Sequence, residues 1–205
     1  MVQLRIEELK KYAKEYHVPI MQDEGIEFIK KYIRENNIKN ILEIGSAIGY
    51  SAIQFASIDK NIYVTTIERD DNMYNQALKN IKSNDLDNQI EIIHADALNI
   101  EIDNKYDLIF IDAAKSQYIK FFEKYKQNLN ENGVIITDNL SFHGLVEDDS
   151  KTKNRNTLQL VKKIRNYIEF LKNNQKYQTE FLKIGDGISI SKINKHTCNN
   201  PKNNI

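Results

Sequence analysis

Two hydrophobic rhythms follow one another along the chain. Leu4, Leu9, Tyr12, Ala13 and Tyr16 form a rough helical stripe, so residues 4–16 are expected to form an amphipathic helix. Pro19 disfavours a helical conformation at Val18 and ends that pattern. Ile26, Ile29, Tyr32 and Ile33 predict a second helix over about 23–36, with Asp23 as N-cap or in the first turn. From residue 41 short apolar runs alternate with helical stretches. Strands are expected at 41–44, 62–67, 90–93, 106–112 and 133–137, with helices after Gly49, over 73–82, and through Tyr118, Phe121, Phe122 and Tyr125. The run YDLIFID at 106–112 is almost continuously apolar, as in a strand buried on both faces of a parallel sheet. A polar connection over 140–156 precedes an amphipathic helix over 157–171. Two last strands, 181–184 and 187–190, flank Gly185-Asp186-Gly187, which reads as a tight hairpin turn.

This alternation predicts a doubly wound, Rossmann-like α/β fold: a mostly parallel sheet, an antiparallel C-terminal hairpin and extra N-terminal helices. Residues 1–193 read as one domain and 194–205 as a polar tail expected to be mobile. The chain has 205 residues, 28% charged and 40% hydrophobic, which fits a globular protein and excludes a disordered one. No apolar run approaches the ~20 residues of a membrane span, and the charged N-terminus lacks the apolar core of a signal peptide. Cys198 stands alone in the tail, excluding an internal disulfide framework. Together these point to the cytoplasm. Lysine plus arginine and aspartate plus glutamate are equal at 29 each, so no global basic signature for nucleic acid is present.

The candidate chemistry clusters at strand ends. NILEIGSAIGYS, 40–51, reads as strand, glycine turn and helix start, a unit that presents backbone N–H groups to a ligand. Its spacing is E-x-G-x-x-x-G, not the G-x-G-x-x-G of dinucleotide binders. A carboxylate at Glu43 would repel a phosphate and suits a ligand carrying an ammonium, such as the methionine part of S-adenosylmethionine. An ordinary strand–helix turn would read the same way. Glu68 follows Gly45 by 23 residues, close to the ~20 at which an acidic residue binds ribose hydroxyls. Asp96 could accept from an adenine amino group or merely cap the next turn. Glu43, Glu68, Asp96, Asp112, Asp138 and Asn139 all fall at strand C-termini, where ligands bind in such sheets. Asp112, Asp138 and Asn139 supply two carboxylates and an amide, a donor set for a hard cation such as Mg²⁺. Lys115 could act there as a base or steady an oxyanion. A strand-end turn and a solvated lysine are the plainer alternatives.

The stretches ILEIGSAIGYSA (41–52), TIERD (66–70), IFIDAAKSQY (109–118), GVIITDNLSFHG (133–144) and LKIGDGISIS (182–191) resemble the cation-dependent O-methyltransferases of the class I S-adenosylmethionine-dependent fold. This family includes catechol and caffeoyl-CoA methyltransferases. The resemblance implies that Val18, Met21, Glu43, Gly45, Ser51, Glu68, Asp96, Ala97 and Asp112 bind S-adenosylmethionine. It implies that Asp112, Asp138 and Asn139 bind Mg²⁺ or another divalent cation, that Lys115 is catalytic together with Asp112, and that the protein is a homodimer. The family position usually filled by tryptophan or arginine falls within Asn139-Leu140-Ser141-Phe142-His143-Gly144, so the acceptor loop departs from the catechol pattern. Within the family the overall pattern is most similar to bacterial tRNA 5-hydroxyuridine methyltransferases. That similarity makes tRNA an expected partner, and Phe142 or His143 a candidate to stack on a flipped base. No acid lies between Lys151 and Ile168, a stretch holding Lys151, Lys153, Arg155, Lys162, Lys163 and Arg165. Small phenols are the alternative acceptors, and a nucleotide-binding domain without methyl transfer is a third reading.

Overall fold

The computed structural model describes residues 2–195; Cys198 and most of the polar tail lie outside them. The helices are α1 (Val2–Glu15), α2 (Asp23–Glu35), α3 (Tyr50–Ala56), α4 (Asp71–Ser83), α5 (Tyr118–Tyr125) and α6 (Arg155–Lys172). The strands are β1 (Asn40–Ile44), β2 (Tyr63–Glu68), β3 (Ile90–His94), β4 (Tyr106–Ile111), β5 (Leu129–Thr137), β6 (Tyr177–Leu182) and β7 (Ile188–Ile193). They form one sheet in the order β3-β2-β1-β4-β5-β7-β6. The first five strands run parallel, and β7 pairs antiparallel with both β5 and β6. Because β1 pairs with β2 on one side and β4 on the other, the connections diverge there and open a crevice beyond the strand ends.

Period-two alternation divides the core into two layers. Ile41, Leu108, Phe110 and Ile136 pack with Ile26, Ile29, Ile33 and Phe55 on one face. Leu42, Ile44, Ile109, Ile111 and Ile135 pack with Phe122, Ile164 and Tyr167 on the other. This is why β1 and β4 read as nearly unbroken apolar runs: both faces are covered. Asp107 fastens the opposite end of the sheet. Its carboxylate accepts from the backbone N–H groups of Lys39 and Asn40 at 3.0 and 2.9 Å and from Asn130 Nδ2 at 2.7 Å.

Three expectations need correction. Helices α4 and α6 start two residues earlier than periodicity suggests, because Asp70 and Asn154 cap them with side-chain acceptors. Strand β5 starts at Leu129, not residue 133, since Leu129 pairs with Tyr106 across a register shift. The last two strands are not joined by a tight two-residue turn. They begin and end farther out, and Lys183 to Gly187 form a longer connection. Gly185 and Gly187 take positive φ angles of 55° and 86°, and the carbonyls of Asp186 and Gly187 accept from the N–H groups of Ser141 and Leu140 at 2.7 and 2.9 Å. The turn is drawn towards the 139–144 loop instead of closing on itself.

Phe122 is fully buried and meets Phe170 and Tyr177 edge-on at ring-centroid distances of 5.4 and 5.1 Å. Phe122→Ala should destabilise the protein by about 3–5 kcal/mol, read as a lowered denaturant midpoint with an unchanged slope.

Candidate active site

A cavity of about 280 Å³ opens at the C-terminal ends of β1, β2 and β4. Its floor depends on a close backbone approach. Gly45 has φ of 94°, and a Cβ there would lie 2.4 Å from the carbonyl oxygen of Asp112. Only glycine lets the β1 turn lie against the end of β4 in this way. Beyond it Ala47 (φ 44°) and Gly49 (φ 80°) curl the chain into α3. Glu68 holds that curl. One carboxylate oxygen accepts from Ala47 N–H at 2.8 Å, and the other from Arg69 and Asp70 N–H at 2.8 Å each.

Met21, Gly45, Ser51, Glu68, Asp96, Ala97, Asp112, Lys115 and Asn139 line the cavity. Three residues expected at the ligand do not. Val18 is packed into the core beneath the 19–21 segment, so Pro19, Ile20 and Met21 form that wall. Glu43 is fully buried and accepts hydrogen bonds from the hydroxyls of Ser51 and, at 2.5 Å, Thr66. It lies behind Ser51 and acts on the cavity through it. Asp138 is also buried behind the lining. Asn139, in the left-handed region at φ 66°, bridges the two aspartates: its Nδ2 donates to Asp112 Oδ1 at 2.9 Å and to Asp138 Oδ2 at 3.0 Å. Lys115 begins a 3-10 turn, its Nζ 5.6 Å from the centre of the Phe142 ring. Asp96 caps the following turn, accepting from Leu98 N–H at 2.9 Å, while its other oxygen faces Arg69 at 3.7 Å. Asp96 therefore caps the turn and also lines the cavity.

The family whose sequence model is described as O-methyltransferase matches residues 1–193. The chain belongs to that family. A Staphylococcus aureus crystal structure, described provisionally as a caffeoyl-CoA O-methyltransferase, is 47% identical with a TM-score of 0.89, covering 92% of each chain. A Bacillus cereus O-methyltransferase in complex with S-adenosylhomocysteine is 25% identical with a TM-score of 0.78, covering 93% of this chain and 90% of its own. The caffeoyl-CoA O-methyltransferase of Populus kitakamiensis is 27% identical over 92% of this chain and 83% of its own. This O-methyltransferase is S-adenosylmethionine-dependent. Its cavity fits that ligand in one further respect: Ser46 Oγ, on the wall, is buried without a hydrogen-bond partner among the described residues, an arrangement that a polar ligand resolves.

Two residues of this O-methyltransferase escaped sequence reading. Tyr118 belongs to a helix stripe and ends a family-like stretch, and neither signals that its hydroxyl donates to the carbonyl oxygen of Asp138 at 3.0 Å and fixes the end of β5. Asp186 looked like a turn residue, but Oδ1 accepts from His143 N–H at 2.5 Å. Its signal was present, since GDG lies in one of the family-like stretches; a local turn preference explained it too readily.

Burial sets the electrostatics. Desolvation pushes the carboxyls of Asp112 and Asp138 upward; the charge of Asp186 adds to this at both, while Lys115 opposes it. Desolvation also raises Glu43 from its ordinary 4.5 to about 7, against the hydrogen bonds from Ser51 and Thr66. A carboxyl raised in the folded state stabilises the fold fully below its unfolded value, and that contribution is lost as pH rises from about 4.5 through 7. Glu43→Gln, which cannot ionise and can serve both hydroxyls, should remove this fall. At pH 8 the ligand-free variant should exceed the unaltered protein by about 3 kcal/mol, with little difference at pH 4. Parallel stability curves across pH would refute the assignment.

Proposed function

We propose that this enzyme transfers the methyl group of S-adenosylmethionine to a ring hydroxyl that has a second oxygen beside it, with a divalent cation held by Asp112, Asp138 and Asn139. The observation that carries this reading is the convergence of Asp112 and Asp138 on the Asn139 amide, beside the cavity that Lys115 also lines. That donor set fits a hard cation. Two carboxylates, Asp138 buried and Asp112 half-buried on the cavity wall, converge on one amide group, whose N–H donors stand where positive charge is favoured, and a half-turn of that amide would present its oxygen instead. Among the described residues no three His, Cys, Asp or Glu side chains form a metal-holding group. The reading therefore needs the amide as a protein donor and leaves places for acceptor oxygens.

When bound, the cation supplies Lewis acidity that lowers the pKa of a hydroxyl and fixes two adjacent oxygens. Lys115 lines the same cavity and either receives the hydroxyl proton or steadies the oxygen that remains. The Phe142 ring lies beside it. The 19–21 segment and the Gly45 turn hold the methyl donor on the other side, so positioning contributes much of the acceleration.

A free catechol-type phenol is the acceptor that the named relatives favour, because a caffeoyl group carries two neighbouring hydroxyls. A second reading, 5-hydroxyuridine at the wobble position of tRNA, draws on one specific observation. Lys151, Lys153, Arg155, Lys162 and Lys163 are exposed along the connection and α6, which packs on the Lys115 turn. Arg165 does not belong to that surface: its guanidinium donates to Val146 O and pairs with Asp149 at 2.7 Å.

Methyl transfer from labelled S-adenosylmethionine, with and without Mg²⁺, should be followed in parallel on a catechol and on tRNA carrying 5-hydroxyuridine. Cation-dependent label in the catechol supports the phenol reading; label in the tRNA alone establishes the RNA reading. Lys115→Ala should lower turnover on whichever acceptor reacts by about 10²–10⁴-fold without weakening S-adenosylmethionine binding. Unchanged turnover would remove Lys115 from the chemistry.

A further inference from the structure

Asp186 is buried, and its Oδ2 has no hydrogen-bond partner among the described residues. An ionised carboxylate oxygen left so is costly unless something on that side compensates it. The compensating charge is not a nearby base. The ring Nδ1 of His143 lies 3.6 Å away, but on the Oδ1 side, where His143 N–H already donates. Asp186 also acts on like charge: it raises the carboxyls of Asp112 and Asp138, and Lys115 opposes the rise at both. Asp186 thus lies within electrostatic reach of both aspartates.

The backbone explains the placement. Strand β7 runs antiparallel to β5, with Ser189 opposite Thr137, so the turn before β7 lies beside the loop after β5. Asp186 and Gly187 carbonyls accept from Ser141 and Leu140. A Cβ on Gly187 would lie 2.8 Å from Ser141 N, so the two segments are in close contact. Across that contact the loop adopts left-handed backbone at Asn139, Phe142 and His143, conformations that need support from outside. The Oδ1 bond to His143 is such a support. Oδ2 is left over.

We propose that Asp186 is a positioning residue of the cation site. One oxygen fixes the 139–144 loop, and with it Asn139, while its negative charge strengthens cation binding at Asp112, Asp138 and Asn139 without direct ligation. Asp186 does not complete a three-carboxylate group able to grip an ion, which is why its action is through charge and through the loop. The inference rests on the cation reading above and extends it to a residue outside the donor set.

The test is Mn²⁺ binding to the full-length protein without acceptor, followed by electron paramagnetic resonance. Asp186→Asn keeps an oxygen for His143 N–H and removes the charge. It should weaken Mn²⁺ binding about 10–100-fold while the thermal midpoint stays near that of the unaltered protein. Asp186→Ala, which loses the loop bond as well, should weaken it further. If Asp186→Asn binds Mn²⁺ normally and only Asp186→Ala is impaired, Asp186 is a loop staple and the proposal is wrong. If the unaltered protein binds no Mn²⁺, both this inference and the cation reading fall; normal binding there with a normal Asp186→Asn removes this inference alone. Should Asp186→Asn fail to fold, hydrogen exchange on the unaltered protein decides. Mn²⁺ should slow amide exchange in the 183–187 turn as well as in 138–144, and protection confined to 138–144 would overturn the coupling.

Discussion

Like charge buried at one end of the sheet is the constraint around which this molecule is arranged. Glu43, Asp112, Asp138 and Asp186 are held within the C-terminal ends of β1, β4, β5 and the turn before β7, and each raises or is raised by another of them. Carboxyls withdrawn from water in this way resist ionisation, and a fold that tolerates them carries an internal demand for positive charge. Two hydroxyls answer it at Glu43. At Asp112 and Asp138 the answer is an amide and a lysine, groups that reduce the repulsion without neutralising it. A site so composed is prepared to receive a cation, whether an ion between the aspartates or the sulfonium of a methyl donor nearby.

The rest of the architecture serves this concentration. Apolar residues on both faces of β1 and β4 exclude water from beneath the strand ends, and Asp107 binds the far ends of those strands together. The close approach at Gly45 brings the turn after β1 against Asp112, so the cavity wall and the proposed cation site share one piece of backbone. That sharing accounts for Asp112 both lining the cavity and accepting from Asn139. Glu68 has a different task from the one its spacing suggested by itself: with three backbone N–H groups on its carboxylate it holds the shape of the Gly45–Gly49 curl, whatever it offers a ribose.

Much of this was legible in the sequence because it depends on local rhythm. Apolar runs of four to seven residues separated by helical stripes give the succession of elements and the fold class, and acidic residues ending those runs mark the sheet edge. What the sequence hid depends on pairing over long distances. Nothing local distinguishes Glu43, which is sealed behind Ser51, from Glu68, which reaches the cavity; their difference lies in Thr66 on the next strand. Nothing local separates Arg165 from Lys162 and Lys163, although Arg165 is folded inward on Val146 and Asp149 while the lysines are exposed. The Gly185-Asp186-Gly187 turn misled for the same reason. Its glycines signal positive φ, which a tight hairpin also needs, but here they let the chain lean across to Leu140 and Ser141.

That leaning turn bears on how acceptors are chosen. The loop that starts at Asn139, the proposed cation ligand, carries Phe142 beside Lys115, and it is tied to the turn through Leu140, Ser141 and the Asp186 side chain at His143. On the proposed cation reading, metal geometry and acceptor shape would be set by the same short segment. A change in the loop that refits one will disturb the other unless the turn before β7 compensates. A family that keeps its donor set while altering its acceptors would be expected to vary the residues after Asn139 and to hold the supporting turn fixed. In this chain the loop reads Leu-Ser-Phe-His-Gly and the turn beneath it reads Gly-Asp-Gly. The physical coupling between them gives a reason why those two facts belong together.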